Sequence, residues 1–320
     1  MRTIQYLSPT SLSLWESDRT EFYLRYCADN RPPRVPQTRP MAIGSAFDAF
    51  VKNYLVGALY STVPPEFAIS AIFEAQVEPQ NRDWALEHGE ALFNEYRRLG
   101  ALSDLMIEMS HATSTPRFEF TVENRVAHTA HAAGIPLLGK PDCHFTLASG
   151  SELIIDWKVN GYCSASPVSP KAGYMKERPS GRAHRDCQQL SVAGIPINMA
   201  RPLDTVDVGW ATQLCIYGWV ISGAIAPLFG IEQLCCRGLE SCGGLRVASH
   251  RCKISPEFRL SLLDRLAQCW GSIQSGHIFT ELTLGDSVAR CSVLDNYYKA
   301  YEVQEGANIE HEEWFKTITR

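Results

Sequence analysis

The spacing of apolar residues changes along this chain, and each change marks a different element. From Asn81 to Leu99 the apolar residues Trp84, Leu92, Phe93, Tyr96 and Leu99 recur on one helical face, which predicts an amphipathic helix. Arg117 to Glu123 instead alternates, with Phe118, Phe120 and Val122 on one side, and predicts the first strand of a core sheet. Leu153, Ile154 and Ile155 form a short continuous apolar run, as expected of a strand buried on both faces. Ile135 to Leu138 lies upstream of it, and Ala148-Ser149-Gly150-Ser151 supplies a turn between two strands. Farther on, Ile231 to Leu239 and Leu245 to Lys253 flank Ser241-Cys242-Gly243-Gly244 and predict a second hairpin. Pro256 to Ser275 reads as a helix with Ser255 as N-cap and Pro256 at its first position.

Strands mixed with helices over 320 residues predict an α/β protein with ample apolar content for a substantial core. One domain over 1–320 is the simplest division. It has a helical part over 1–110, an α/β core over 111–255 with a basic loop at 160–206, and a helical part over 256–320. This length also admits a small second lobe. The sequence has no apolar run long enough to cross a bilayer and no signal-peptide pattern at its start. Its eleven cysteines are spread without a framework spacing, so reduced thiols in a cytoplasmic protein are the expectation. Cys143 and Cys215 read as small buried apolar residues. The net charge of −5 does not announce a nucleic-acid binder, though a local basic surface would suffice for one.

The candidate chemistry lies in Gly139-Lys140-Pro141-Asp142 and Ile154-Ile155-Asp156-Trp157-Lys158. Residues two apart on a strand share a side, so Asp156 and Lys158 point the same way. Asp142, ending the preceding strand segment, can reach the same point. Two carboxylates holding a hard divalent cation beside an ammonium group are equipment for metal-assisted phosphodiester hydrolysis. Downstream, Gln213 and Tyr217 stand four apart in Trp210-Ala211-Thr212-Gln213-Leu214-Cys215-Ile216-Tyr217, on one helical face.

In this order, these blocks resemble the PD-(D/E)xK nuclease superfamily. The Gln-x-x-x-Tyr helix looks like that of its RecB-like exonucleases, which include CRISPR-associated and phage recombination enzymes. Met41 to Phe50 resembles that group's Gly-x-x-x-His helix, and Ser8-Pro9-Thr10-Ser11 through Phe22-Tyr23-Leu24 its first helix. The resemblance runs from Ser8 to Tyr217. It implies a restriction-endonuclease-like core, a mixed central sheet flanked by helices, with helical N- and C-terminal additions. It also implies a Mg²⁺- or Mn²⁺-dependent deoxyribonuclease, acting as an exonuclease in repair, recombination or phage DNA processing. Asp142, Asp156, Lys158, Gln213 and Tyr217 are the implied catalytic residues. The implied metal ligands are Asp142, Asp156 and the Trp157 carbonyl.

The chain departs from that pattern at two places. Asp48 stands where the family has a His ligand, and a carboxylate there suits Mg²⁺; the alternative is a solvated helix residue. The cysteines that carry an iron–sulfur cluster in some relatives are not matched, because Asp18-Arg19 occupies the first position and no Cys-x-x-Cys pair follows. No cluster is expected. Within the long loop, Lys171, Lys176, Arg178, Arg182 and Arg185 are candidate phosphate contacts and Tyr174 a base-stacking residue; the alternative is a solvated insertion without a specific role. DNA is the implied partner, with a second copy of the chain or a recombination or helicase protein as further partners and no membrane. Two other classes remain open: an inactive nuclease-fold subunit for DNA binding or assembly, and a cysteine-ligated zinc module.

Overall fold

The structure is a computed structural model. It describes residues 4–29, 31, 35–60, 62–171, 201–223 and 227–278, and the backbone alone at 176–177, 182–183, 188–192, 195–199 and 250. In chain order, helices α1 (Pro9–Ser17), α2 (Arg19–Phe22), α3 (Arg39–Leu59), α4 (Ile69–Gln76), α5 (Arg82–Arg98) and α6 (Ala101–Ser110) precede the first strands. Strands β1 (Arg117–Phe118), β2 (Val122–His128), β3 (His131–Gly139), β4 (Cys143–Thr146) and β5 (Glu152–Asn160) follow. Four short strands come next: β6 (Lys176–Glu177), β7 (Arg182–Ala183), β8 (Gln188–Val192) and β9 (Ile195–Met199). Helix α7 (Val208–Ser222), strands β10 (Leu228–Cys235) and β11 (Arg246–Cys252) and helix α8 (Pro256–Ser275) complete the order. Among the described residues, no helix is long and apolar enough to cross a membrane.

Two compact units are present. The first comprises 1–36, 123–139 and 259–320, of which 279–320 lie outside the described residues. Its first helix starts on a capping box, in which Ser8 and Ser11 exchange side-chain and backbone hydrogen bonds. Leu7 bridges to Leu137 through hydrogen bonds of 2.9 and 2.8 Å. Arg265 grips Glu16 with two donors, which ties α8 to α1.

The second unit comprises 37–122 and 140–258 and is built on a mixed sheet flanked by helices. Its strand order is β1-β4-β5-β10-β11-β6-β7, with β9 on β11 and β8 on β9. The pair β4–β5 is antiparallel, β5–β10 parallel and β10–β11 antiparallel. A parallel pair needs a crossover, and α7 lies on the one between β5 and β10. Both parallel strands are central, so Leu153 to Trp157 and all of β10 are buried. Leu153, Ile155 and Trp157 join the core with Phe47, Leu92, Phe93 and Tyr96 of α3 and α5. The residues between them, Ile154, Asp156 and Lys158, face the other way. Helix α7 is apolar nearly all round and buried from Ala211 to Val220, apart from Gln213, which explains the weak amphipathic signal there.

The structure corrects two strands expected from the sequence. Ile135–Leu138 belongs to β3, which pairs with β2, and the strand that pairs with β5 across the turn at 148–151 is β4, since the chain leaves the small sheet at Gly139 and starts a new strand at Cys143. The alternation over Arg117–Glu123 does not make one strand, because pairing stops after Phe118 and Glu119 has φ +48°. That left-handed conformation breaks the period of two and turns the chain out of the sheet. Val122 opens β2, which pairs with β3 in a separate two-stranded sheet. The helices over 82–98 and 256–275 and the hairpin β10–β11 stand where the pattern predicts them, and Ser255 Oγ caps α8 by accepting from Phe258 N.

Arg251 anchors α6 to the sheet. It is buried on β11, donates to Glu108 Oε1 (3.0 Å) and reaches Glu232 Oε1 at 3.2 Å, while Ser249 donates to Glu232 Oε2 at 2.5 Å. Removing one partner of such a set leaves an uncompensated buried charge. Arg251→Ala should therefore lower the unfolding free energy by about 3–5 kcal/mol in urea denaturation. A loss below about 1 kcal/mol, the range of exposed pairs, would show that these charges are solvated.

Candidate functional site

Where β4 stops pairing with β5, the second unit gathers its buried charges. Cys143 pairs with Ile155 in antiparallel register. One step further along the same register sets Asp142 opposite Asp156, so the two carboxylates share a side. Asp142 Oδ2 accepts from Trp157 N at 3.2 Å, which fixes the carboxylate against the strand. A strand residue aims its N–H and C=O at the same neighbour, so the Trp157 carbonyl also faces Asp142.

The Gln213 amide locks the next two groups. Its Oε1 accepts from Lys158 Nζ at 2.8 Å, and its Nε2 donates to Asp156 Oδ1 at 3.1 Å and to Tyr217 Oη at 3.0 Å. An amide side chain has one acceptor oxygen and one NH₂ group, so this set of partners fixes its orientation. Lys158 Nζ also lies 2.6 Å from Asp156 Oδ2, an ion pair without hydrogen-bond alignment at that oxygen. The i, i+4 spacing on α7 thus brings Gln213 and Tyr217 to the acid pair as the sequence implies.

Helix α3 brings Asp48 to the same cleft. Its side chain is only 15% exposed and pairs with Lys52, which is fully buried. Asp48 is therefore not a solvated helix residue. Lys52 Nζ also lies 3.5 Å from Asp142 Oδ1 and 3.6 Å from Glu119 Oε1. Glu119 in turn is held by Gln76 Nε2 at 3.0 and 2.9 Å and by Lys140 at 2.5 Å. The positive φ at Glu119 aims this carboxylate inward, and such backbone strain is concentrated at functional sites. Gly44, Ser45, Asp48, Gln76, Glu119, Asp142, Asp156, Trp157, Lys158 and Gln213 all line one open cleft of about 260 Å³.

Sequence reasoning missed Glu119, Lys52 and Gln76. Lys52 had a signal: it falls four residues after Asp48 on a helix of mostly apolar residues, where an unpaired Lys would be costly. Glu119 had none, because its local pattern reads as the polar side of a strand. Of the basic-loop residues, Lys171 is described and is engaged within the unit, with Nζ 2.9 Å from Asp207 Oδ2 and over the Trp210 ring. Tyr174, Arg178 and Arg185 lie outside the described residues, as do the side chains of Lys176 and Arg182.

Burial and crowding set the electrostatics. Burial pushes the Asp48 carboxyl up to about 7 against the pull of Lys52, and Asp142 and Glu119 add to the rise. Burial likewise raises Asp156 to about 6 against Lys158, with Asp142 reinforcing it. Burial alone would lower both lysines, but Asp48, Asp142 and Glu119 hold Lys52 above its ordinary value and Asp156 holds Lys158 there.

Among the described residues, no three His, Cys, Asp or Glu side chains form a ready metal-binding group. The ammonium groups account for this, since Lys52 and Lys140 draw Asp48, Asp142 and Glu119 toward themselves. The donor chemistry still fits a hard divalent cation: every candidate ligand is an oxygen, and Asp48 Oδ1 is buried without a hydrogen-bond partner.

The raised carboxyls have a consequence for stability. Each favours folding fully below about pH 4 and loses that contribution as pH rises through about 6 for Asp156 and about 7 for Asp48. In the presence of chelator, the wild-type melting temperature should fall more steeply between about pH 5 and pH 8 than that of Asp156→Asn. Parallel curves would mean that Asp156 ionises like an exposed carboxyl.

No protein-family profile matches this chain, and no curated protein sequence does. Among solved structures, the crystal structure of SSO0001 is similar at 12% identity, over 94% of this chain and 97% of that chain, with a TM-score of 0.29. A TM-score that low carries no argument about fold or function.

Proposed function

We propose that this chain is a divalent-metal-dependent deoxyribonuclease with a restriction-endonuclease-like core in its second unit. The observation that supports it best is the convergence of Asp142, Asp156 and Lys158 at the end of the β4–β5 hairpin, with Gln213 bridging Asp156 and Lys158. DNA as substrate and exonuclease action rest on the family resemblance of the four sequence blocks.

In this reading Asp142, Asp156, Asp48 and the Trp157 carbonyl would hold Mg²⁺ or Mn²⁺. When bound, such an ion polarises a phosphoryl oxygen and lowers the pKa of a coordinated water. Lys158 places a full positive charge where the phosphate develops negative charge. Gln213 keeps that ammonium aimed into the cleft and shares Asp156 with it, and Tyr217 fixes the remaining amide hydrogen. Trp157 N–H holds Asp142 in place before any substrate arrives.

One observation favours a second reading. The Lys52 ammonium already neutralises part of the carboxylate cluster, and no ready metal-binding group is formed among the described residues. A nuclease-fold subunit that binds DNA or assembles with a partner without cutting would look like this.

End-labelled linear DNA and closed circular DNA, incubated with Mg²⁺, Mn²⁺ or chelator, separate the two. The nuclease reading expects metal-dependent cleavage, with loss of label from linear DNA if the action is exonucleolytic. Lys158→Ala should reduce the rate on the order of 10²–10³-fold, the scale for losing one transition-state contact, with an unchanged far-UV spectrum. Cleavage by the variant at the wild-type rate places the chemistry elsewhere, and absence of cleavage under every condition favours the non-cutting subunit.

A further inference from the structure

Lys52 is the least expected charge in the second unit. It stands one turn after Asp48 on α3, wholly inaccessible to solvent, within 3.6 Å of three carboxylates: Asp48, Glu119 and Asp142. Those carboxylates line the cleft and Lys52 does not, so the ammonium lies behind the acidic wall. Its neighbours along α3, Phe47, Val51 and Leu55, are buried with it.

Charge counting limits what the cluster can hold. With all four ionised, the carboxylates Asp48, Glu119, Asp142 and Asp156 meet three ammonium groups, Lys52, Lys158 and the half-exposed Lys140, which leaves at most one net negative charge. Buried charge is tolerated only when closely balanced. One divalent ion changes that balance from −1 to +1, whereas two would bring it to +3. Geometry agrees. The oxygens turned toward Lys52 are Asp48 Oδ2, Asp142 Oδ1 and Glu119 Oε1. Asp48 Oδ1, by contrast, is buried with no hydrogen-bond partner, while both Asp156 oxygens are engaged, Oδ1 by Gln213 and Oδ2 by Lys158 at 2.6 Å. The oxygens nearest Lys52 therefore have a cation already, and Asp48 Oδ1 is left without a partner.

We propose that Lys52 is a tethered cation that takes the place of one divalent ion, so that the site loads a single metal ion, on the side of Asp156 and Asp48 Oδ1. This inference rests on the reading of the cleft as a divalent-metal site. It makes Lys52 a positioning residue: it sets the number of ions and the orientation of Asp48 and Asp142, and it touches no substrate.

The test is Mn²⁺ binding to the full chain, by calorimetry for number and affinity and by electron paramagnetic resonance for isolated against coupled ions. Wild type should bind one magnetically isolated Mn²⁺. Lys52→Met should bind a second Mn²⁺, or bind the first at least 10-fold more tightly. Two spin-coupled ions in wild type overturn the proposal, and this measurement does not depend on whether the variant folds. Wild type and Lys52→Met binding one ion with equal affinity overturn this proposal alone and leave the metal site standing. Binding by Lys52→Met but not by wild type overturns it, since the wild-type site then loads no ion, while the carboxylates still form a metal site once the ammonium is gone. No binding by either protein overturns both this inference and the metal-dependent reading.

Discussion

The candidate site of this protein depends on charges being held in mutual contact where one strand pairing ends. Past Cys143 and Ile155 the ladder between β4 and β5 stops, and the next residues on each side, Asp142 and Asp156, remain opposed. Two carboxylates brought together out of water raise each other's proton affinity unless cations balance them. Lys158 and Lys52 provide that balance from two different elements, a strand and a helix. If either ammonium were absent, the carboxylates would have to move apart, take up protons or bind another cation.

The surrounding fold explains why these groups stay in place. The apolar strands β5 and β10 are central and covered on both faces, so the backbone under Asp156 and Lys158 has little freedom. Helix α7, buried along most of its length, presents Gln213 as a polar side chain that joins strand and helix. On the other side of the cluster, the packing of α3 against α5 determines where Asp48 and Lys52 stand. Gly89 allows that approach, because a Cβ there would lie 2.6 Å from Ala46 Cβ. The buried Arg251 set applies the same principle farther from the cleft, with two carboxylates balanced by one guanidinium.

Much of this was legible in the residues. The turn at 148–151, the apolar run before Asp156 and the period of two placed Asp156 and Lys158 on one side of a strand. The spacing of Gln213 and Tyr217 placed both on one helical face, and the structure brings them to that strand. The strand expected over Arg117–Glu123 failed because a positive φ at Glu119 is invisible in a hydropathy pattern. Asp48 could be read either as a ligand or as a solvated residue, since a helix position alone does not say which neighbours surround it.

Periodicity reports which side chains share a face of one element, because that follows from the geometry of a few consecutive residues. By itself, then, the sequence determined the turn at 148–151, the strand after it with its acid and ammonium, and the glutamine–tyrosine face of α7, whereas the partner strand across that turn proved to be Cys143–Thr146 and not Ile135–Leu138. Only the tertiary structure decided that Lys52 would meet both Asp142 and Glu119, the latter 67 positions farther along the chain. That meeting is set by how α3 packs on the sheet and by one left-handed residue after β1. Contacts of this kind arise from burial of distant apolar surfaces, and no local pattern encodes them.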